Sequence, residues 1–326
     1  MYSNHGQISL TLAVWLAAND GYDLVHNPKV FSATTLLQPL RSMILTRRLR
    51  DQNIGGSVDI SSLIASRLGT AVHTAAEVSW VHSYRIALQN LGYPESMIDR
   101  VQINPDKTPM PDVIPIYMEI RSERDVGEYT ISGKFDFVEE GRVKDIKTTK
   151  TYNWIKGGNN KKYAIQGSIY RWLNPEIIKD DFIDIEFLFT DWSPMKALAD
   201  KEYPPKQIMT KTLPLMSLDA TETFICNRLD EITAHVDLPQ EKLPLCTPEE
   251  LWMNPSKWAF YKDATKTTRA TKLFDSSTEA HIHQNTLGGN GIVVERKGEP
   301  TFCKYCEARP ICVQAEQFIA SGLLKI

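Results

Sequence analysis

The chain has 326 residues, 42% of them hydrophobic and 24% charged, the composition of a globular protein able to bury one large core or two small ones. Its formal net charge of -3 excludes a uniformly basic nucleic-acid coat, so any DNA contact has to come from local basic surface. No apolar run reaches the roughly 18 residues that a membrane-spanning helix needs, so no membrane association is expected.

The first residues, Met-Tyr-Ser-Asn-His-Gly-Gln, lack the basic and apolar regions of a signal peptide, and a cytoplasmic location is expected. Thiols stay reduced there, so the five cysteines read as candidates for metal binding rather than for disulfides.

Residues 1–30 carry little regular signal. From Ser32 the text Ser-Ala-Thr-Thr-Leu-Leu-Gln-Pro-Leu-Arg reads as a capped helix continuing to about Leu49. A second helix is expected from Ser61 to Gly92, where Leu63, Leu68, Val72, Ala75, Ala76 and Trp80 recur at helical spacing. The segment from Asn104 to Pro115 reads as loop. The period then changes: Ile114 to Arg121, Glu128 to Glu139 and Arg142 to Thr148 are β-rich, and Glu140-Gly141 marks a hairpin. Helix returns at 161–173, a strand at Asp184 to Thr190, a Pro/Lys-rich loop at about 193–214 and a helix at about 218–236. The pattern divides the chain into a core of residues 1–238, with an N-terminal helical segment, and a module of residues 239–326. The module is turn-rich, and a bound metal rather than a large apolar core is expected to hold it.

Two basic stretches are candidate DNA contacts: Arg41 to Arg50, with four arginines, and Arg142 to Lys162, with seven lysines or arginines. Charge alone favours ordinary solvated faces for both.

The chemistry concentrates in Gly133-Lys-Phe-Asp136 and Lys144-Asp145-Ile-Lys147. Asp145 and Lys147 are two apart in a strand and share a face, and the hairpin brings Asp136 beside them. Converging carboxylates on an apolar sheet need partners or a metal. Oxygen ligands suit Mg²⁺ or Mn²⁺, which would polarise a phosphodiester and generate hydroxide, with Lys147 orienting water or stabilising developing charge. Ordinary cross-strand ion pairing explains the same residues equally well. His73 and Glu77 are four apart on the long helix, and Gln166 and Tyr170 share a face of the helix after the hairpin, where they could bond a phosphate or the attacking water.

Taken in order, His73, then Gly-x-x-Asp136, then Asp145-x-Lys147, then Gln166-x-x-x-Tyr170 resembles the RecB-like branch of the PD-(D/E)XK nuclease superfamily. That branch includes phage exonucleases, CRISPR-adaptation nucleases and the nuclease domains of RecB and AddB. The resemblance implies an α/β fold, a central mixed β-sheet flanked by helices, with a small C-terminal cysteine-metal module. It implies a metal-dependent deoxyribonuclease, most simply a phage-type exonuclease in DNA recombination or processing. An endonuclease, a single-strand or flap nuclease, and a catalytically silent DNA-binding scaffold are the alternatives. It further implies His73, Asp136, Asp145 and the carbonyl of Ile146 as metal ligands, Lys147 as the catalytic lysine, Gln166 and Tyr170 as the supporting motif, and Glu77 as a further supporting residue. A phage-encoded protein of this kind would act in the bacterial host's cytoplasm, with a single-strand annealing or other recombination protein as partner; oligomerisation is left open.

Cys303-x-x-Cys306-x5-Cys312 can share one metal centre, zinc or iron–sulfur. Its spacing resembles the C-terminal part of the iron–sulfur staple of the CRISPR-adaptation and AddB nucleases. Those relatives take a fourth cysteine from an N-terminal Cys-Pro-x-Arg pattern; here the comparable stretch is Gln38-Pro39-Leu40-Arg41. Cys246 is the expected substitute, Cys226 reads as a core residue, and a [4Fe–4S] cluster is favoured over Zn²⁺.

Overall fold

The computed structural model describes residues 2–18, 27–51, 58–106 and 110–325. The chain divides into two compact units, Met1–Leu37 with Gly56–Glu231, and Gln38–Gly55 with Ile232–Ile326. The expected boundary at 238 is therefore corrected: residues 38–55 group with the C-terminal part of the chain. Helix α1, Leu40–Asp51, explains why. It buries Leu40, Met43, Ile44, Leu45 and Leu49. Its Arg41 donates to the carbonyls of Gln240 and Leu243 and its Arg48 to those of Val236 and Leu238, all within the second unit. The helix expected from Ser32 to Leu49 is accordingly two pieces. Ser32 caps Ala33–Leu36 by accepting from the Thr35 N–H at 3.1 Å, and Pro39, which has no N–H to donate, separates that turn from α1.

In the first unit the long helix α2 spans Ile64–Asn90. A six-stranded mixed sheet follows, built from β2 Val101–Ile103, β3 Ile114–Met118, β6 Phe137–Glu139, β7 Arg142–Thr149, β8 Phe182–Phe189 and β9 Ile208–Pro214. Its order is β9–β8–β7–β6–β3–β2, with β7/β8 and β2/β3 parallel and the other pairs antiparallel. A smaller sheet has the order β1–β5–β4, from Val30–Ser32, Tyr129–Lys134 and Arg121–Val126. A helix that the sequence did not signal occupies Leu10–Ala17.

One side of the main sheet is covered by α2. Ala76, Trp80, Tyr84 and Leu88, each four residues on, pack against Val101, Ile116, Met118 and Phe137. Helix α3, Asn160–Leu173, approaches the strands closely at Gly167, where a Cβ would lie 2.7 Å from Ile183 Cδ1. The Glu140-Gly141 turn has positive φ at both residues (49° and 82°), as a two-residue hairpin turn requires.

One strand reading and one loop reading are corrected. The stretch Glu128 to Glu139 is not continuous: it breaks at Phe135-Asp136, and its two halves join different sheets. The expected loop at 193–214 contains a short helix, Pro194–Ala199, and the edge strand β9, whose alternating burial reflects one solvated face.

In the second unit β10 Lys257–Tyr261 is flanked by β11 Lys272–Phe274 and β12 Ile292–Arg296, with α5, Ser277–Thr286, joining the outer two. Ala259, Phe260, Tyr261 and Ala280 are buried. This module therefore has a small apolar core of its own, which the turn-rich text concealed. A second cluster gathers Leu251, Cys303, Ala315 and Leu324 with Cys246, Met253, Cys312 and Phe318, partly from α6, Val313–Ala320.

Among the described residues no helix is long and apolar enough to cross a membrane.

Candidate active site

The site forms where β6 begins. Pairing of β6 with β7 starts at Phe137↔Lys144, so the main chain of Ile146, further along β7, lies beyond the last paired residue of β6. A strand edge released in this way presents an unpaired donor and acceptor. Side chains take both: Asp136 Oδ2 accepts from the Ile146 N–H at 2.9 Å, and His73 Nε2 lies 3.0 Å from the Ile146 carbonyl oxygen. Asp136 sits in the bend before β6 rather than on a strand, a correction to the simple hairpin picture. The sheet change at Phe135-Asp136 is what turns its carboxylate onto the β7 backbone.

His73 Nδ1 lies 3.3 Å from Asp136 Oδ2. Both ring nitrogens thus face acceptors, which suits the doubly protonated ring. The Asp136 hydrogen bond, working against burial, holds the His73 pKa above its ordinary value. A cation bound here would take the place of a ring proton.

Asp145 and Lys147 share one face of β7, as their spacing dictates. Asp145 is 1% exposed. Burial pushes its carboxyl above the usual carboxylate range, with Lys147 pulling the other way. The Lys147 ammonium is 2.6 Å from Asp145 Oδ2 in ion-pair contact, yet that oxygen has no well-directed hydrogen bond. Burial disfavours the Lys147 charge, but Asp145 and Asp136 outweigh it and raise its pKa. The same ammonium lies 5.5 Å from the Tyr163 ring, a contact with no signal in the sequence pattern.

Gln166 and Tyr170 are both buried, on the helix beside Asp145. Gln166 Nε2 donates to Tyr170 Oη at 2.6 Å and toward Asp145 Oδ1 at 3.4 Å. The pair packs against the Asp145 carboxylate. Tyr170 reaches it because Gly133 has no side chain: a Cβ there would lie 3.1 Å from Tyr170 Cδ1 and 2.7 Å from Leu173 Cδ1. The glycine of Gly-x-x-Asp136 is thus explained by close packing.

Glu77, one turn beyond His73, is half-buried and lies outside the cluster. Glu119, which sequence reasoning missed, lies inside it. Ligand atoms of His73, Glu119 and Asp136 all lie within 4.8 Å of one another. Glu119 follows β3 with a φ of 56°, and its N–H donates to the Asp136 carbonyl at 3.0 Å. A non-glycine residue in the left-handed region was the one signal, and it is visible only in the backbone.

The basic stretches resolve differently. Arg41 and Arg48 are spent on backbone carbonyls, and the exposed Arg50 pairs with Glu307. Within 142–162, Arg142 pairs with Asp180, and Lys144 with Glu139. Lys150, Lys156 and Lys161 are exposed just beyond the Asp145–Lys147 strand.

In the second unit Cys246, Cys303, Cys306 and Cys312 line one cavity together with Arg41 and Ser42. Arg41 Nε donates to Cys312 Sγ at 3.4 Å, and Ser42 Oγ is 3.2 Å from Cys306 Sγ. Burial pushes the Cys246 thiol up to about 12 and the Cys303 thiol up to about 11. All five cysteines are unbridged, and Cys226, on helix α4, Leu218–His235, does not line this cavity.

No protein-family model and no curated protein matches the chain. A solved structure described as the crystal structure of SSO0001 is similar at 15% identity and a TM-score of 0.41, over 69% of this chain and 88% of that one. The chain itself is a mixed α/β protein with helix-flanked sheets and a cysteine-rich C-terminal part, and its functional reading rests on the geometry of its own residues.

Proposed function

We propose that the chain is a divalent-metal-dependent deoxyribonuclease with a PD-(D/E)XK-type centre of the RecB-like branch, a phage-type exonuclease in DNA recombination or processing. The observation that carries this reading is the convergence of His73, Asp136 and the Ile146 main chain at the point where β6 leaves β7, with Asp145 and Lys147 on the same strand.

The donor set fits the cation. Carboxylates, a carbonyl and one imidazole suit Mg²⁺ or Mn²⁺. Asp145 Oδ2 is fully buried and already in ion-pair contact with the Lys147 ammonium at 2.6 Å, so a hard cation would share that carboxylate with Lys147. When bound, such an ion polarises a phosphodiester and lowers the pKa of water. The protein's own groups do the rest. Lys147, held charged by Asp145, is placed to orient the attacking water and to stabilise developing negative charge. Gln166 and Tyr170 fix the Asp145 carboxylate. The exposed lysines beyond β7 supply phosphate contacts, which position DNA without reading its sequence.

The four-cysteine cavity fits a thiolate-bound centre, a [4Fe–4S] cluster ahead of Zn²⁺, with Cys246 as the fourth ligand. Buried thiols with raised pKa values become stable thiolates only on metal binding.

The test offers linear and circular DNA, duplex and single-stranded, with Mg²⁺ or Mn²⁺, beside Asp145→Ala and Lys147→Ala variants. Digestion of linear but not circular duplex by the wild type alone is expected. Equal inertness of wild type and variants on every substrate would remove the nuclease reading.

A further inference from the structure

Helix α2 packs on the main sheet through one side only. Ala76, Trp80, Tyr84 and Leu88 meet the core there, and no residue of the helix is fully buried. A second apolar line runs along the opposite side: Ile64, Leu68, Ala71, Ala75, Val78 and Ile86, interrupted by His82 and exposed throughout. Ile64 is 42% exposed, Leu68 41%, Val78 49% and Ile86 65%. The water-facing side of a helix is normally polar and charged. Here Arg85 is the only Asp, Glu, Lys or Arg among the exposed residues of α2, and Glu95 and Asp99 already pair with it. An apolar line depleted of charge has the composition of an interface core.

The spacing of the line identifies its occupant. Ile64 and Ile86 each stand eleven residues from Ala75, and Leu68 and His82 each stand seven from it. A second α2 laid antiparallel across a two-fold axis at Ala75 therefore sets Ile64 against Ile86, Leu68 against His82 and Ala75 against itself. That is the isologous pattern, in which one residue meets another and the other meets the first. Arg85 falls opposite Ala65, so no like charges meet. Eleven-residue and seven-residue spacings drift in opposite senses, which keeps such a pair nearly straight, and alanines at the axis permit close approach. From Ile64 to Ile86 the line runs about 33 Å, and a width of about 12 Å gives about 400 Å² per copy. That is half the roughly 800 Å² per partner of a standard interface. Helix Leu10–Ala17 lies beside it: Arg67, on the flank of the line, donates to the Leu16 carbonyl at 3.0 Å. It adds Leu10, Leu12 and Val14, all exposed. An area of this size suits a reversible dimer rather than an obligate one.

We propose that this side of α2 is a homodimerisation surface, on which the α2 of a second copy packs antiparallel about a two-fold axis at Ala75. His73, on the sheet side of the same helix, stays outside that interface.

The test is sedimentation equilibrium of the full chain from about 1 to about 100 µM, a range that brackets the Kd of a small interface, with melting curves to confirm folding. Wild type should pass from monomer to dimer across it. Ala75→Glu sets two carboxylates against each other at the axis and should weaken pairing by at least about tenfold. Ala87→Glu, exposed on α2 but off the line, should leave it unchanged. Ala75→Cys places two thiols face to face, and oxidised glutathione should close a disulfide between the copies. Ala87→Cys should cross-link no more than wild type. If Ala75→Glu folds poorly, Ala75→Cys decides. A wild type that stays monomeric throughout, a trimer or larger ring, or a dimer that Ala75→Glu leaves as strong as Ala87→Glu does would each overturn the α2 pairing. None of these outcomes touches the cation reading of the centre, which the cleavage assay tests separately.

Discussion

The Gln166 side-chain amide donates to the Tyr170 hydroxyl at 2.6 Å and turns its other hydrogen toward Asp145 at 3.4 Å. One amide thus ties the helix to the buried carboxylate on the neighbouring strand. Gln166→Leu removes the tie while keeping the volume, so Asp145 loses orientation without losing burial. The expected result is a fall of about 10–100-fold in kcat with KM for linear duplex nearly unchanged, the scale of outer-shell losses. Tyr170→Phe should lower kcat less and cost about 1 kcal/mol of stability, the net value of a typical hydrogen bond. A rise in KM with kcat intact would place Gln166 on DNA instead.

Lys147→Met leaves Asp145 as a buried carboxyl without its counter-charge. Burial already lifts its folded-state pKa above the unfolded value, and loss of Lys147 lifts it further. The folded chain then holds a proton that the unfolded chain releases. Stability is greatest in acid and is lost as pH rises from the unfolded carboxylate value, about 4, toward the raised folded one. The variant should melt close to wild type at about pH 5 and well below it at about pH 8, by an amount approaching about 3 kcal/mol for an uncompensated buried charge. Mg²⁺ should narrow the gap at the higher pH. Parallel melting profiles across that range would sink the assignment.

How much of this could be read from the chain depended on period and order. Asp145 and Lys147 were legible because a strand repeats every two residues, and α2 because Ala76 and Trp80 recur every four. The bend at Phe135-Asp136 was not, because alternation continues through it and only pairing with two different sheets reveals the break. Glu119 was hidden for a similar reason: it is an unremarkable acid after a strand until the backbone turns left-handed and docks on Asp136. The basic face of α1 misled in the opposite direction. Arginine text reads as solvated or DNA-facing, but Arg41, 2% exposed, is committed to carbonyls and to Cys312. Such long-range partners leave no local trace.

His73 gives a second pH dependence, with the same slope from a different cause. Its Asp136 hydrogen bond raises the folded-state pKa above the ordinary 6.5. In metal-free protein the contribution of the imidazolium is fully present below the unfolded value and lost as pH climbs through the folded one. A bound cation competes with the ring proton, so Mn²⁺ affinity should rise with pH, by up to about tenfold per unit, until His73 is neutral. Nuclear magnetic resonance of the ring protons, with Mg²⁺ in place of the paramagnetic ion, should show the pKa falling on metal addition. An unmoved titration would separate His73 from the cation.

The cysteine cavity makes a prediction that sets Cys246 apart from Cys226. Both lie outside the Cys303–Cys312 spacing, but only Cys246 lines the cavity with the other three thiols. Cys246→Ser should therefore lose bound metal as completely as Cys303→Ser, while Cys226→Ser keeps it in full. An iron–sulfur centre would appear as brown protein absorbing near ~400 nm, and zinc as a colourless protein with about one ion per chain. In either case the metal cross-links Cys246 to a segment nearly sixty residues further on, so its removal should lower the stability of the module around β10 by several kcal/mol, on the scale of a long-loop cross-link. Full metal content in Cys246→Ser would show that three cysteines suffice, and the thiol pushed up to about 12 by burial would then be a packing residue.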